Sequence, residues 1–362
     1  MKELGLSILK KIYDYGYVGY IVGGYVRDTL LGIETNDIDI TTNATPMELK
    51  NIFPDLVMTS ESYGSVKIEY KKHSFDITTF REEEGYLDNR HPTNVKYVND
   101  LKTDLLRRDF TVNTLCMDKD GHVLDLLNAK VDLDNKKLKT VIDSDRSFSL
   151  DALRMLRAIR FSVNLGLTMS DDIIASIHKN SFLLKKLSYE RKKSELDKIF
   201  GSNKAKEGIL LLKEYGLDEI LEIDLTRIVD YSDIIGIWAM INSSKYPFTN
   251  TEKDLIKKVN IVYDMDNLDP KILYKYGVYV NVLAGVNKGI NKKDILEKYE
   301  NLPIKSKDDI LISAKEICEL LHKKPGNFLG KLYEELETKI LDKEILNNKE
   351  ELIKYIKGKE YE

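Results

Sequence analysis

The first third of the chain alternates between helical and strand-like patterns of apolar residues. Apolar side chains at helical spacing over 3–14 predict a helix. The apolar run 17–22 ends at two glycines, which predicts a strand that enters a turn. Residues 25–31 again show helical spacing, and Gly32 stands where a helix C-terminus is expected. This region therefore mixes helices with strands.

Three further segments alternate polar and apolar residues, which is the period of a half-buried strand. They are 37–40, 66–70 and 75–78. Only four polar residues separate the last two segments, so these predict a hairpin. From about residue 148 onward, leucine, isoleucine and lysine recur at helical spacing with few strand-like runs. We therefore predict an α+β protein, with an N-terminal head built on an antiparallel or mixed sheet and an all-α remainder.

Composition changes this picture little. Of the 362 residues, 42% are hydrophobic and 32% charged, as in ordinary globular proteins. No apolar run approaches the roughly 20 residues that span a bilayer, and Glu3 does not suit a signal peptide. We therefore expect a cytoplasmic protein without a membrane partner. The distant Cys116 and Cys318 predict neither a disulfide framework nor a zinc site, and the five histidines show no ligand-set spacing.

The sharpest local motif follows the first predicted strand. It is the segment Gly23-Gly24-Tyr25-Val26-Arg27-Asp28. Two glycines let the backbone approach a phosphate closely, and the helix after them offers free N–H groups to an anion. Arg27 adds a forked donor in the first helical turn. The motif therefore predicts a phosphate site.

Asp37 and Asp39 are one residue apart on a predicted strand, so their side chains share one face. Two neighbouring carboxylates repel each other unless a divalent cation lies between them, and Mg²⁺ with substrate phosphates is the natural occupant. Alone, such a pair is more often a solvated strand face. Together with the preceding glycine turn, it predicts a magnesium site that activates a hydroxyl and stabilises a leaving pyrophosphate.

Two arginine-rich blocks lie further along the chain. In Arg107-Arg108-Asp109, the arginines are either surface charges or, beside a phosphate site, triphosphate contacts. In the second block, four charged residues recur three apart and line one helix face: Asp151, Arg154, Arg157 and Arg160. One interpretation of this face is a solvated surface held by salt bridges.

A second interpretation of that face follows from hydrogen-bond patterns. Cytosine and adenine each present an amino donor beside a ring-nitrogen acceptor on the pairing edge, whereas uracil and guanine present the opposite order. A fixed carboxylate beside a guanidinium therefore pairs with C or A and rejects U and G. Asp151 and Arg154 offer that pair. Arg157 and Arg160 are then left for phosphate or the RNA backbone.

In order, these blocks resemble the class II tRNA nucleotidyltransferases and their poly(A) polymerase relatives, most closely the bacterial CCA-adding group. Gly23 to Asp39 resembles motif A of the family, Arg107-Arg108-Asp109 motif B, and Asp151-x-x-Arg154 the nucleotide-selecting motif. Residues 188–196 resemble a later helical motif. Leu150 departs from the family, which usually has Glu there.

The resemblance implies a nucleotidyltransferase head of the DNA polymerase beta superfamily over 1–145. It implies a helical neck with the selecting motif over 146–205, and a tRNA-binding helical body and tail over 206–362. The implied reaction is attack of the tRNA 3′ hydroxyl on the α-phosphorus of CTP or ATP, dependent on Mg²⁺, with release of pyrophosphate.

The resemblance also assigns roles to single residues. Mg²⁺ would bind to Asp37 and Asp39, the catalytic pair. The nucleotide would contact Gly23, Gly24, Arg27, Arg108, Asp151, Arg154, Arg157 and Arg160. Asp76 lies on a strand that could face the metals, but a solvated strand position is the role we predict for it.

Several alternatives within and outside the family remain. Arg81 to Lys96 supplies a long polar loop with Asp88 and Arg90, which resembles the flexible loop that helps position ATP. That loop favours CCA or terminal-A addition over CC-only addition. The sequence pI near 5.9 does not match the basic extension usual in poly(A) polymerases. A non-catalytic homologue that binds structured RNA is also possible, although it would not need paired carboxylates.

Overall fold

The computed structural model describes residues 1–60, 64–86 and 92–358. Its strands are β1 (Gly19–Val22), β2 (Asp39–Thr42), β3 (Val57–Ser60), β4 (Ser65–Tyr70), β5 (His73–Thr79), β6 (Arg81–Tyr86), β7 (Pro92–Tyr97), β8 (Cys116–Met117), β9 (Val123–Leu124), β10 (Lys137–Leu138) and β11 (Thr168–Met169). The chain separates into two units, Met1–Leu221 and Glu222–Glu362.

The first unit contains eleven helices within its described residues. They are α1 (Lys2–Asp14), α2 (Gly24–Leu30), α3 (Pro46–Ile52), α4 (Leu101–Leu106), α5 (Ala129–Asp134), α6 (Ser144–Leu150), α7 (Leu153–Leu165), α8 (Asp171–Asn180), α9 (Tyr189–Phe200), α10 (Ala205–Glu214) and α11 (Leu217–Leu221). The described part of the unit also contains two short 3₁₀ helices, Thr111–Asn113 and Ser181–Lys186.

A mixed sheet of seven strands forms the head, in the order β3-β4-β5-β2-β1-β8-β9. The β2 and β5 strands are parallel, and the other pairs are antiparallel. Helix α1 covers the sheet with Ile8, Leu9 and Ile12, which are fully buried. Gly5 allows the close approach, because a Cβ there would lie 2.9 Å from the Cδ1 of Ile21. The mixed-sheet head agrees with the prediction.

The predicted hairpin is confirmed and extends further than the alternating pattern indicated. Tyr70 of β4 pairs with His73 of β5, so only Lys71 and Lys72 form the turn. Both turn residues have positive φ, 49° and 67°. That geometry matches the right-handed twist of the flanking strands.

The prediction of a long loop over Arg81 to Lys96 was wrong. Strands β6 and β7 pair with each other as an antiparallel ribbon, with Arg81 opposite Tyr97. The two loop residues that we singled out, Asp88 and Arg90, lie outside the described residues.

Three helices of the first unit carry the arginine-rich motif and its surroundings. Asp151 lies at the junction between α6 and α7. Helix α7 buries Met155, Leu156 and Ile159 completely and packs against α9. The helical pattern predicted from about residue 148 is thus confirmed here, because one face of α7 is apolar and the other carries the arginines.

The second unit consists of helices in its described part. They are α12 (Ile234–Ile241), α13 (Asn250–Tyr263), α14 (Pro270–Asn287), α15 (Lys292–Glu300), α16 (Ala314–Leu321), α17 (Phe328–Leu341) and α18 (Lys349–Lys357), with a 3₁₀ turn at Lys307–Asp309. Among the described residues, none of the helices combines the length and apolarity needed to cross a membrane. The division of the chain at 145 and 205 stays a prediction.

Candidate active site

The glycine turn lies where β1 enters α2, as predicted. Gly23 has φ 79° and ψ −129°, a backbone conformation that L side chains rarely adopt. A Cβ at this position would also lie 3.5 Å from Nη1 of Arg108 and 3.6 Å from the carbonyl oxygen of Asn113. The turn therefore brings the backbone beside one of the predicted triphosphate contacts.

Arg27 lies in the first turn of α2 and is 6% exposed. Its Nε donates to Oδ1 of Asp28 at 2.8 Å, and its Nη2 lies 2.7 Å from the same oxygen. Its Nη1 donates to Oδ1 of Asn113. These contacts fix the direction of the guanidinium, which the sequence motif alone could not do.

Asp37 and Asp39 share one face of the chain. Exposure alternates here, because both aspartates are exposed while Ile38 and Ile40 are 3% and 1% exposed. The alternation begins before the strand does, since β2 starts only at Asp39. The same-face prediction therefore agrees with the burial pattern, although the strand is shorter than predicted.

Asp76 belongs to the same carboxylate group. It is the register partner of Asp39 across the parallel β2–β5 pair, and it is exposed on the same side. Loss of solvent around Asp39, and then the charges of Asp37 and Asp76, raise the pKa of the Asp39 carboxyl, whereas Arg108 lowers it. A divalent cation would relieve this repulsion, and carboxylate oxygens are the ligands that Mg²⁺ prefers.

A cleft of about 590 Å³ collects several of the predicted residues. Gly24, Arg27, Asp37 and Asp39 line it from the head, and Arg160 lines it from α7. Its other lining residues, which the sequence analysis did not assign to the site, are Tyr25, Asp28, Ile33, Thr35, Phe161, Asn164, Leu165, Asp197, Lys198, Gly201 and Ser202. The cleft thus collects predicted phosphate-binding and metal-binding residues of the head together with residues of the helices α7 and α9.

The two adjacent arginines of the second block have different surroundings. Arg107 contacts the buried Asp104 at 2.8 Å and Glu83 of β6 at 3.4 Å. Arg108 lies 3.5 Å from Asp104, and its buried Nε has no hydrogen-bond partner in the described part of the chain. Since Arg108 also lies beside Gly23, it is the arginine of this pair that borders the glycine turn.

The buried Asp109 and the partly exposed Arg157 form an ion pair between the head and α7. Nε and Nη2 of Arg157 donate to Oδ2 of Asp109 at 2.8 and 2.5 Å, and Nδ2 of Asn113 donates to Oδ1 at 2.9 Å. Burial opposes ionisation of Asp109, but Arg157 and Asn113 outweigh it and hold the pKa of this carboxyl well below its usual range.

The predicted base-reading pair lies at the start of α7. Asp151 accepts a hydrogen bond from the backbone N–H of Leu153 at 3.0 Å. Arg154 is 7% exposed, and its Nη1 donates to Oγ of Ser147 at 2.9 Å. Its Nη2 donates to the carbonyl oxygen of Arg107 at 2.6 Å. Neither Asp151 nor Arg154 lines the 590 Å³ cleft.

Arg160 faces the cleft from the next turns of α7. Its Nε lies 3.3 Å from Oε2 of Glu195 on α9. Burial lowers the pKa of Arg160, and the nearby Arg157 lowers it further, while Glu195 raises it. Glu195 belongs to the later helical motif of the sequence. Through its ion pair with Arg160, this motif contacts a residue that lines the cleft.

A second group of possible metal ligands was missed by the sequence analysis. Ligand atoms of Asp118, Asp120 and His122 lie within 4.8 Å of one another at the turn between β8 and β9. Asp118 already accepts hydrogen bonds from the backbone of the other two. The β1–β8 register places this turn toward the start of β1, away from Gly23. In the sequence, these three possible ligands stand at every second position, and this pattern could have indicated the group.

Three family models match successive parts of the chain. The model described as "Poly A polymerase head domain" matches residues 19–139. The model "Probable RNA and SrmB-binding site of polymerase A" matches 166–224, and a "tRNA nucleotidyltransferase domain 2" matches 245–356.

Individual relatives match over nearly the whole chain. The CCA-adding enzyme of Ligilactobacillus salivarius is 33% identical, covering 97% of this chain and 95% of that protein. The CCA-adding enzyme of Pediococcus pentosaceus is 33% identical over 94% of each. Among solved structures, the Bacillus stearothermophilus CCA-adding enzyme in complex with CTP is similar, with a TM-score of 0.81 and 25% identity over 98% of this chain and 96% of that one.

Proposed function

Because the chain belongs to the family of CCA-adding enzymes, we propose that it adds C, C and A to the 3′ end of tRNA. The substrates are CTP and ATP, and the product of each step is pyrophosphate. The observation that carries the proposal is the cleft in which Asp37 and Asp39 lie with Arg27 and Arg160. A carboxylate pair and cationic donors in one cleft suit nucleotidyl transfer from a triphosphate.

The carboxylates supply the metal site of this proposal. Asp37 and Asp39 would hold Mg²⁺, with Asp76 as a neighbouring acid that adds negative charge. When bound, Mg²⁺ would lower the pKa of the attacking 3′ hydroxyl and neutralise the leaving pyrophosphate. Loss of solvent is the main cause of the raised pKa of Asp39, and the neighbouring charges of Asp37 and Asp76 add to it, which supports a place for a cation here.

The chain's own cations hold the triphosphate in this proposal. Arg27 is fixed by Asp28 and Asn113 at the edge of the cleft, so its guanidinium needs little reorganisation on binding. Gly23 and Gly24 keep the adjacent backbone free of side chains. Arg108 adds positive charge beside Gly23 and Asp39.

Asp151 and Arg154 select the base. Their carboxylate and guanidinium complement the pairing edges of C and A and oppose those of U and G. The buried anchoring of Arg154 to Ser147 and to the backbone of Arg107 supports the role, because a selecting donor has to be held rigidly. The helical part of the chain beyond residue 205 binds the tRNA.

Incorporation assays test this function directly. Three tRNA transcripts, ending at the discriminator base, at C and at CC, are incubated with each labelled nucleoside triphosphate and Mg²⁺. We expect addition of CMP, CMP and then AMP, after which synthesis stops. Addition of AMP only to the CC-ending transcript would make the chain an A-adding enzyme. Open-ended tails would make it a poly(A) polymerase.

A pair of variants tests the metal assignment in the same assay. Asp37→Ala and Asp39→Ala should each abolish incorporation and leave tRNA binding nearly unchanged. Glu69→Gln is the matched control, because it removes an exposed acid from the same sheet without touching the cleft. Retained incorporation in the alanine variants would refute the metal assignment. Binding of tRNA without any incorporation by the unmodified chain would favour an RNA-binding homologue.

A further inference from the structure

The ring of Phe161 lies among three guanidinium groups. The Cζ atoms of Arg160, Arg27 and Arg157 lie 4.5, 5.2 and 5.3 Å from its centroid. All three distances are within the range of cation–π attraction. Arg27 comes from α2 in the head, whereas the other two arginines and Phe161 belong to α7.

Three like charges around one ring repel one another, and each has a carboxylate partner. Asp28 lies 2.7 Å from Arg27, and Asp109 lies 2.5 Å from Arg157. Glu195 is the third partner, 3.3 Å from Arg160. The ring therefore forms the centre of a cluster of three arginines, each of which is compensated by its own carboxylate.

Arg160 is held less firmly by its carboxylate than the other two arginines. Its Nε and the Oε2 of Glu195 are both buried, and neither has a hydrogen-bond partner among the described residues. Arg27 and Arg157, in contrast, donate hydrogen bonds to Asp28 and Asp109. The shortest of the three ring distances belongs to Arg160, so of the three guanidiniums it contacts the ring most closely.

The ring of Phe161 also packs against the buried core. Phe110, which is fully buried, packs edge-on against Phe161 with centroids 5.7 Å apart and planes at 79°. Arg157 is tied down by Asp109, the neighbour of Phe110. Of the three arginines, Arg27 and Arg160 line the cleft, whereas Arg157 does not.

From this arrangement we propose that Phe161 is a positioning residue for the triphosphate. Its ring contacts both Arg27 of the head and Arg160 of α7 and holds them at the cleft, while Arg157 and Phe110 hold the ring. The inference rests on the proposed function, because that function supplies the triphosphate. It adds an aromatic residue whose part is to fix the positions of two cations in the cleft that the triphosphate enters.

Binding of two separate parts of the nucleotide tests the proposal. Inorganic tripolyphosphate carries the anionic part alone, and cytidine carries the base and ribose alone. Isothermal titration calorimetry with Mg²⁺ present measures both affinities for the full chain and for Phe161→Leu. We expect the variant to bind tripolyphosphate about tenfold more weakly, as loss of about 1.4 kcal/mol implies, and to bind cytidine within about twofold of the original chain.

Two further variants separate positioning from packing. Phe161→Tyr keeps an aromatic face and should bind tripolyphosphate as tightly as the original chain does. Phe148→Leu removes the same apolar volume from the buried core of α6. It should lower the unfolding temperature without changing either affinity.

Unchanged tripolyphosphate binding in Phe161→Leu would overturn the proposal, and so would an equal loss for cytidine and tripolyphosphate. Failure of the unmodified chain to incorporate nucleotides would refute the proposed function instead, and the two results are distinguishable because calorimetry needs no turnover.

Discussion

Asp39 and Asp76 are directly paired across the parallel strands β2 and β5, and both are exposed on the same face. Adjacent strands lie about 4.8 Å apart, so the two carboxylates are close enough to repel each other. The charge of Asp76 contributes to the raised pKa of Asp39. Asp76 thus occupies the exposed strand position that its sequence pattern predicted, and from there its charge also acts on Asp39.

Asp76→Asn should weaken the binding of Mg²⁺ without destroying the site. Loss of one neighbouring negative charge should raise the Mg²⁺ concentration for half-maximal incorporation by about tenfold, as for other residues just outside a metal's direct ligands. Titration of the initial rate against Mg²⁺ measures the change. Glu69→Gln removes an acid from the adjacent β4 and should leave the Mg²⁺ requirement unchanged. Equal Mg²⁺ curves for Asp76→Asn and the original chain would show that Asp76 does not assist the metal.

Asp39→Asn should inactivate the protein yet stabilise its metal-free form at pH 7. The pKa of Asp39 is higher in the folded state than in the unfolded state, so protonation of this carboxyl favours folding. The gain is fully present at pH values below the unfolded-state pKa. That gain is lost as the pH rises through the folded-state pKa. At pH 7 the ionised carboxylate thus costs stability, and the neutral amide does not.

Because Asp39 is exposed, solvent screens the effect. We expect the unfolding temperature of Asp39→Asn to rise by about 1–2 °C at pH 7 and not at pH 3. Calorimetric scans in a chelator at both pH values measure the difference. A gain of equal size at pH 3 would show that the charge of Asp39 is not its origin.

Asp109→Asn should be strongly destabilising, because it leaves Arg157 without its buried counter-charge. Removal of one partner from a fully buried pair costs about 3–5 kcal/mol, and the 30% exposure of Arg157 lowers the expected cost here to about 2–3 kcal/mol. The pKa of Asp109 is lower in the folded state than in the unfolded state, so the ionised carboxylate stabilises the fold. This stabilisation is fully present above the unfolded-state pKa and is lost as the pH falls through the folded-state pKa. Urea unfolding should therefore show the full difference at pH 7 and a smaller one below about pH 3.

The exposed Asp134 of α5 supplies the control for this comparison. Asp134→Asn should change the free energy of unfolding by less than about 0.5 kcal/mol at either pH. A pH-independent loss in Asp109→Asn would point to altered packing instead of the missing charge.

The head could be predicted well where local chemistry decides the conformation. The glycine turn at Gly23 and the alternation around Asp39 follow from backbone sterics and from burial of one strand face. The ribbon of β6 and β7 was missed because its strands pair only with each other in the described structure. Such strands need not bury one face, so their polar sequence carries no alternating apolar signal.

The cluster around Phe161 could not be predicted from local sequence. Arg27 and Phe161 belong to elements that are distant in the chain, and only the packing of α7 beside the head brings them together. One partner of Arg107 and Arg108 could be predicted from the sequence, because Asp104 lies three and four residues before them, the spacing of ion pairs on a helix surface. The carboxylate partners of Arg157 and Arg160 come from other elements, so no spacing identifies them.

Glu83→Gln should impair AMP addition more than CMP addition. Glu83 lies at the base of the β6–β7 ribbon, 2.6 Å from Nη2 of Arg81 and 3.4 Å from Nη1 of Arg107. These contacts tie the ribbon to Arg107 at the end of α4, next to Arg108. We predict that the ribbon supports the segment that positions ATP. Weaker contacts between the ribbon and α4 should then lower the rate of AMP addition about tenfold, since loss of a charged hydrogen bond costs about 1.5 kcal/mol.

Single-turnover rates of AMP addition to a CC-ending transcript, and of CMP addition to a C-ending one, measure this difference. CMP addition should stay within about twofold of the original rate. Glu82→Gln is the matched control, because Glu82 is the exposed neighbour of Glu83 on the same strand. Parallel losses of both activities in Glu83→Gln would assign the contacts to general stability of the head.

Arg154→Lys should relax the choice of base while leaving the fold intact. Lysine keeps the positive charge, but it cannot reach Ser147 and the backbone of Arg107 with the fixed fork of a guanidinium. A bidentate contact to a base edge is worth about 1–3 kcal/mol of discrimination. The ratio of kcat/KM for CTP to that for UTP should therefore fall by about 5- to 150-fold.

Ser147→Ala separates anchoring from base reading. It removes one hydrogen bond from Nη1 of Arg154 and leaves the guanidinium and its second bond in place. Discrimination should then fall by less than in Arg154→Lys, by about tenfold, because one hydrogen bond to a charged group contributes about 1.5 kcal/mol at the low end of its range and the second anchor remains. An equal ratio of CTP to UTP in all three proteins would remove Arg154 from base selection. In that case its buried hydrogen bonds would serve only to join α7 to the segment that carries Arg107 and Arg108.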